Sequence, residues 1–220
     1  MAKYRLGVMG TFKNKVGIVV GRKWRSEYVM SAYQPNVTNP KTKKQVEARG
    51  RFAEASKLAR DFRWILPVGM GGITAGTKVP PRGAFVRENI PAIEFTYPDT
   101  IDVDYTMLKV AMGNHLSGVF SGLASTDPLT IECAFSYDAS RLGTDMGDEV
   151  YLVAYNPNDG VITYNHDRAS SGSLSLTVPT SWNGEEVYVY GFVVGENALT
   201  VVNSPDDVSN STYIGKVTIA

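Results

Sequence analysis

From about residue 96 onward, apolar and polar residues alternate in short runs separated by turn-forming residues. Val187-Tyr-Val-Tyr-Gly-Phe-Val-Val194 and Leu129-Thr-Ile-Glu-Cys-Ala-Phe135 are the clearest cases, and a period of two is the signature of a β-strand. Strands are predicted at 101–105, 109–112, 129–137, 149–156, 161–165, 173–177, 186–194 and 213–219. Asn158-Asp159-Gly160 falls between two of them and reads as a hairpin turn, because Asp-Gly tolerates the positive φ that such turns need. Trp182, behind Pro179 and ahead of Asn183-Gly184, reads as a corner between strands. Short strands at this spacing predict a β-sandwich of immunoglobulin or fibronectin type over residues 96–220. It would be Ig-like in architecture alone, since there is no Cys…Trp…Cys pattern.

The first part of the chain carries other patterns. Residues 4–33 read as strands punctuated by Gly7, Gly10, Gly17 and Gly21, with Lys13-Asn14-Lys15 as a hairpin tip. Asn39 followed by Pro40 is a helix start, a cap and then a residue with φ already set for the first turn. A helix is predicted over 40–62, with Ala48, Phe52, Ala55, Ala59 and Phe62 forming one narrow apolar stripe. Residues 67–91 show no period and hold Pro67, Gly69, Gly71, Gly72, Gly76, Pro80, Pro81, Gly83 and Pro91. They are expected to form a long loop or an extended arm. The fold class expected is mainly β: an N-terminal hairpin, one helix and an arm, followed by the sandwich.

Charge sharpens this division. The chain as a whole has net charge zero, yet residues 1–95 hold 18 Lys/Arg against 6 Asp/Glu, and residues 96–220 hold 4 against 16. Such asymmetry points to a basic arm or interface. The expectation is therefore a basic docking module, 1–95, joined to an acidic sandwich, 96–220. Arg22, Lys23, Trp24, Arg25, Lys41, Lys43, Lys44, Arg49 and Arg51 are the candidate partner-binding residues, with Trp24, Phe52 and Phe62 packing the module. A basic surface of this kind suits nucleic acid through phosphate neutralisation, an acidic protein, or the acidic domain of a neighbouring copy in a head-to-tail assembly. Neutralisation within one monomer is the bland alternative.

Candidate chemistry adds little. Cys133 is the one cysteine; it lies in an alternating run and reads as a small buried apolar residue. His115 and His166 stand far apart, and there is no H-E-x-x-H, C-x-x-C, phosphate-binding glycine loop or G-x-S-x-G. Asp99, Asp102 and Asp104, and Asp145, Asp148 and Glu149, could hold a hard cation, although acidic loop tips are ordinary on a soluble sandwich. No catalytic residue, metal or cofactor is expected. The N-terminus has no apolar signal segment and no run is long enough to cross a membrane, so a reducing cytoplasm and no membrane partner are expected.

Gly10-Thr-Phe-Lys-Asn-Lys-Val-Gly-Ile-Val-Val-Gly21, Trp24, Asn39-Pro-Lys-Thr-Lys-Lys-Gln45, Arg49 and Phe52 form one ordered set. A glycine-bounded hairpin, a tryptophan, an N-P-x-T-x-x-Q helix start and R-x-x-F follow one another. This set resembles an uncharacterised family encoded in Bacteroidota genomes and their phages, over about residues 7–65. Helices with the same spacing occur in phage virion proteins. The resemblance implies a non-enzymatic structural component of a virion (head, collar or tail), located in the particle and in the host cytoplasm during assembly. Its partners would be other virion proteins and copies of itself. The alternatives are a nucleic-acid-binding module with a β-sandwich appendage, and a carbohydrate- or surface-binding sandwich protein.

Overall fold

Antiparallel β-structure dominates the computed structural model, as the alternation predicts. Residues 2–4, 12–25, 27–36, 38–136, 147–196 and 204–220 are described. They divide into two compact units, residues 1–42 and 43–220.

The first unit is a four-stranded sheet. Its strands are β1 (Ala2–Tyr4), β2 (Asn14–Val16), β3 (Val19–Trp24) and β4 (Glu27–Ala32), in the order β1-β4-β3-β2. The turn between β2 and β3 is Gly17-Ile18, with Gly17 at φ +59. The hairpin tip expected at Lys13-Asn14-Lys15 is thus corrected: Asn14 and Lys15 pair with Gly21 and Val20 inside the ladder. Gly17 takes the turn because a two-residue connection needs positive φ, which glycine adopts without steric cost.

The second unit is built in three layers. A three-stranded sheet contains β7 (Val119–Ala124), β8 (Thr130–Ser136) and β11 (Ser173–Thr177), in the order β11-β8-β7. A four-stranded sheet contains β9 (Glu149–Asn156), β10 (Val161–Arg168), β12 (Glu186–Val194) and β13 (Thr212–Thr218), in the order β10-β9-β12-β13. The chain changes sheet between β8 and β9, between β10 and β11, and again between β11 and β12. These crossings make a sandwich of the fibronectin kind. Val150, Leu152 and Ala154 of β9 and Val187, Val189 and Val193 of β12 face Ile131, Cys133, Leu174 and Leu176 in the inter-sheet core. Trp182, fully buried in the connection from β11 to β12, donates its indole N–H to Asp159 Oδ2 at 3.0 Å in the β9–β10 turn.

The opposite faces of β9 and β12 carry Tyr151, Val153, Tyr155, Tyr190, Phe192 and Val194. They pack on a helical layer: α1 (Lys43–Asp61), α2 (Leu66–Gly69), α3 (Gly71–Thr74) and α4 (Pro81–Asn89). The Phe62 ring lies 4.9 Å from Tyr155, 5.5 Å from Phe85 and 6.3 Å from Tyr190, centroid to centroid. A short hairpin, β5 (Ile93–Thr96) and β6 (Thr100–Val103), completes the unit.

Three further expectations are corrected here. The segment 67–91 is no extended arm: it folds into α2, α3 and α4 and buries Met70 and Phe85 completely. Its prolines start helices, where the missing N–H is harmless, and its glycines allow backbones to meet. A Cβ on Gly69 would lie 2.5 Å from Val110 O, and one on Gly72 2.4 Å from Ser204 O. Residues 109–112 form no strand, although Val110 and Ala111 are buried. The stripe of the long helix is also different, with Ala55, Leu58, Ala59 and Phe62 buried while Ala48 and Phe52 are exposed. Packing therefore parts the chain after Thr42, whereas residue 95 marks a change in charge. Residues 43–95 share a core with β9 and β12.

Candidate functional site

Residues directly opposite one another in an antiparallel ladder project from the same face. In the first sheet Val16 pairs with Val19, Val19 with Ala32, Gly21 with Met30, and Lys23 with Tyr28. This face is largely apolar, and the Phe12 ring lies over Gly21 on it. The other face carries Lys15 opposite Val20, Val20 opposite Ser31, Arg22 opposite Val29, and Trp24 opposite Glu27. It is basic, with the Lys3 ammonium 3.0 Å from Glu27 Oε2. Among the described residues of the unit only Gly21 and Val29 are buried.

The structure thus places Arg22, Lys23, Trp24 and Arg25 together at the β3–β4 end of this sheet, but not on one face. Arg22 and Trp24 share the basic face, and Lys23 points to the apolar one. Arg25 sits in the turn at φ +56, a left-handed conformation unusual for a side chain of its size. Its guanidinium lies 5.0 Å from the Trp24 ring, which is 51% exposed. Trp24 was expected to pack the module and instead stands half in solvent.

The remaining candidates lie elsewhere in the chain. Lys41 is exposed near the end of the first unit. Lys43, Lys44, Arg49 and Arg51 are exposed on α1 in the second unit, with the Lys43 ammonium 4.0 Å from Glu47. At 100° per residue Lys44, Ala48 and Arg51 share one side of the helix, with Phe52 at its flank. Phe52 is 57% exposed and so joins a basic surface where core packing was expected. Trp64, 66% exposed with the Arg63 guanidinium 4.8 Å from its ring, is an exposed aromatic that sequence reading missed. It lies in the turn between α1 and α2, with Phe62 and Ile65 buried on either side of it.

Both histidines and several acidic groups of the second unit are engaged in structural bonds. His115 Nε2 lies 2.9 Å from Asp148 Oδ2, and its Nδ1 lies 3.1 Å from the Asp206 carbonyl. With both ring nitrogens facing oxygens, neither is positioned to activate a hydroxyl or thiol. Asp148 also accepts from Glu196 N at 2.9 Å. The His166 ring stacks on Tyr151 at 4.7 Å, with its Nδ1 3.1 Å from Glu149 Oε2. Asp104 accepts from the Thr106 hydroxyl at 2.6 Å and from Thr106 N at 3.0 Å, and these bonds hold its carboxyl below its ordinary pKa. Burial raises the phenols of Tyr105, Tyr151, Tyr155, Tyr190 and Tyr213. Tyr190 donates to the Tyr105 carbonyl at 2.7 Å. Cys133 is buried, and burial pushes its thiol up.

Two open cavities lie in the second unit. One, of about 410 Å³, is lined by Glu94, Asp102, Asp104, Tyr105, Met107 and Tyr188, among others. The other, of about 480 Å³, runs along β8, β10 and β11 and is lined by polar groups including Glu132, Asn165, His166 and Asp167. Among the described residues no group of three or more His, Cys, Asp or Glu is placed to hold a metal ion. Asp145 of the second acidic cluster lies outside the described residues. No described helix is long and apolar enough to cross a membrane.

The fold defines a mainly β protein in which a small basic sheet precedes a helix-backed antiparallel sandwich. The chain belongs to a family of unknown function, DUF6266, matched over residues 10–215. No curated protein matches it.

Proposed function

We propose that this chain is a non-enzymatic structural component of a bacteriophage virion, assembling through its basic N-terminal segment and displaying its sandwich outward. The observation that carries this reading is the first sheet. It has 8 Lys/Arg against one Asp/Glu in residues 1–42 and buries a single apolar side chain, Val29, among its described residues. A sheet with so little core is suited to docking rather than to standing alone. The resemblance of the N-P-x-T-x-x-Q and R-x-x-F spacing to phage virion helices gives the partner class: other virion proteins and copies of the chain. The same resemblance gives the Bacteroidota and phage origin, and with it the location, in the particle and in the host cytoplasm during assembly. His115, Asp148, His166 and Asp104 of the second unit are taken up by structural bonds, which fits a role without catalysis. Mass spectrometry of purified particles tests this reading. Stoichiometric recovery of the chain is expected, and its absence from particles sinks the idea.

A second reading follows from Arg22 and Arg25 beside the half-exposed Trp24, a combination that suits single-stranded nucleic acid. It requires binding that weakens steeply with salt. Fluorescence anisotropy with a labelled oligonucleotide decides it, and the absence of salt-dependent binding removes it.

A further inference from the structure

His115 stands where three connections of the second unit meet. Its backbone N–H donates to the Val208 carbonyl at 3.0 Å, and that of Asn114 donates to the Pro205 carbonyl at 2.7 Å. Both side chains reach the same connection. The Asn114 amide donates to Asp206 Oδ1 at 3.1 Å, and His115 Nδ1 lies 3.1 Å from the Asp206 carbonyl oxygen. On its other edge the ring meets Asp148, with Nε2 2.9 Å from Oδ2. The Asp148 side chain is 2% exposed, and its Oδ1 accepts from Glu196 N at 2.9 Å. The ring therefore joins residues 147–148, ahead of β9, to residues 204–208, between β12 and β13.

A backbone carbonyl can only accept a hydrogen bond, and so can an ionised carboxylate. For both contacts to be hydrogen bonds, both ring nitrogens must donate, and only the imidazolium form has two N–H groups. The titratable groups on the elements around the ring are acidic. Asp148 comes from residues 147–148, Glu196 follows β12, and Asp206 and Asp207 belong to the short helical turn Pro205–Asp207. Glu149, the neighbour of Asp148, is turned instead to Tyr151 and His166. A neutral ring has a single N–H. That proton stays with Asp148, because a buried carboxylate loses more than a carbonyl does when its donor goes. The Nδ1 lone pair then opposes the Asp206 carbonyl.

We infer that His115 is a proton-operated clasp: as imidazolium it ties residues 204–208 to the buried Asp148 carboxylate, and on losing a proton it lets go of Asp206. Histidine is the side chain that changes charge between about pH 5 and 8. The connection is held tight on the acid side of that range and loosened on the alkaline side. The bonds from Asn114 and from the His115 backbone persist, so the change is local and the sandwich stays folded. The clasp does not rest on the virion reading.

Nitrogen-15 NMR of the histidine rings in the full chain reads the clasp directly. Both His115 nitrogens should carry protons at about pH 5.5, and Nε2 alone at about pH 8.5. Hydrogen exchange adds a second readout. After correction for the intrinsic effect of pH on exchange, protection of residues 204–209 should fall by about tenfold between those two pH values. His115→Gln keeps an amide donor and should abolish this pH dependence. His166→Gln, at the other histidine, should leave it in place. If His115→Gln fails to fold, the ring spectrum of the wild-type chain still decides. A bare Nδ1 at about pH 5.5 overturns the clasp. A bare Nε2 there does so as well, since it places the second proton on Asp148. Protection of 204–209 that ignores pH also overturns it, as does a pH dependence that survives in folded His115→Gln. Absence of the chain from particles sinks the virion reading and leaves the clasp untouched.

Discussion

Two four-stranded antiparallel sheets in this chain have opposite surroundings. The sheet β10-β9-β12-β13 is packed on both sides, with aliphatic residues toward the smaller sheet and aromatic residues toward the helices. The sheet β1-β4-β3-β2 buries Gly21 and Val29 alone among its described residues. Both obey the same pairing rules, so hydrogen bonding does not separate them. What separates them is the number of layers in contact. Each further face removed from water contributes about 25 cal/mol per Å², and one sheet has two such faces while the other has scarcely any. Stability is therefore concentrated in the second unit, and the first is left with surface to spend on a partner.

The largest effect should come from emptying the centre of the helix–sheet layer. Phe62→Ala removes a fully buried ring in contact with Tyr155, Phe85 and Tyr190. A loss of about 3–5 kcal/mol is expected, read as a fall in the denaturant midpoint. By contrast, Val16→Ala in the first sheet should change the unfolding of the second unit by less than about 0.5 kcal/mol. Comparable effects of the two substitutions would erase the distinction between the sheets.

Alkaline pH should attack the same layer. Burial raises the phenols of Tyr105, Tyr151, Tyr155 and Tyr190 above their unfolded values, so the native state holds protons that the unfolded state has released. Their stabilisation is complete below about pH 10, the ordinary phenol value, and is lost as pH climbs from there toward the raised native values. Ultraviolet titration should show a share of the phenolate absorbance appearing late, together with unfolding. Complete ionisation of all twelve tyrosines near pH 10 in a still-folded chain would count against the buried tyrosine layer.

A smaller effect is expected at the tip of the first sheet. Arg25→Gly relieves the left-handed backbone at φ +56 and should stabilise the β3–β4 hairpin by about 1 kcal/mol, seen as slower proteolysis of residues 1–42. If Arg25 contributes to docking, the same variant associates less well while resisting the protease better. The smallest change is none at all: Cys133, buried with a raised thiol pKa, should not react with a thiol reagent until the chain is denatured. Rapid native labelling would mean that the inter-sheet core opens readily.

The sandwich was readable where local chemistry decides the structure. Asp159-Gly160 and the runs 149–156, 173–177 and 186–194 fall where expected, because turn residues and a period of two act over a few positions. β7 escaped notice, since Gly122 at φ +65 and the register shift between Ser121 and Ala124 break its alternation. The segment 67–91 was misread because its glycines answer to distant backbone, at Val110 and Ser204, which no local window contains. For the candidate site, exposure of the basic residues was legible from charge alone. Which face each occupies was not, since the register hangs on the turn at Gly17, and a tip placed at Lys13–Lys15 assigns no faces correctly.

Burial of β9 and β12 on both sides also decides where the molecule can be cut. A fragment beginning at Lys43 keeps all three layers and should be soluble and cooperative in unfolding. A fragment beginning at residue 96 follows the boundary drawn by charge, but it strips the helices from Tyr155, Tyr190 and Phe192 and leaves an aromatic wall facing water. That piece should precipitate or cling to chaperones. The usable seam of the protein is thus the stretch before α1, and the change from basic to acidic residues runs through the middle of an indivisible body.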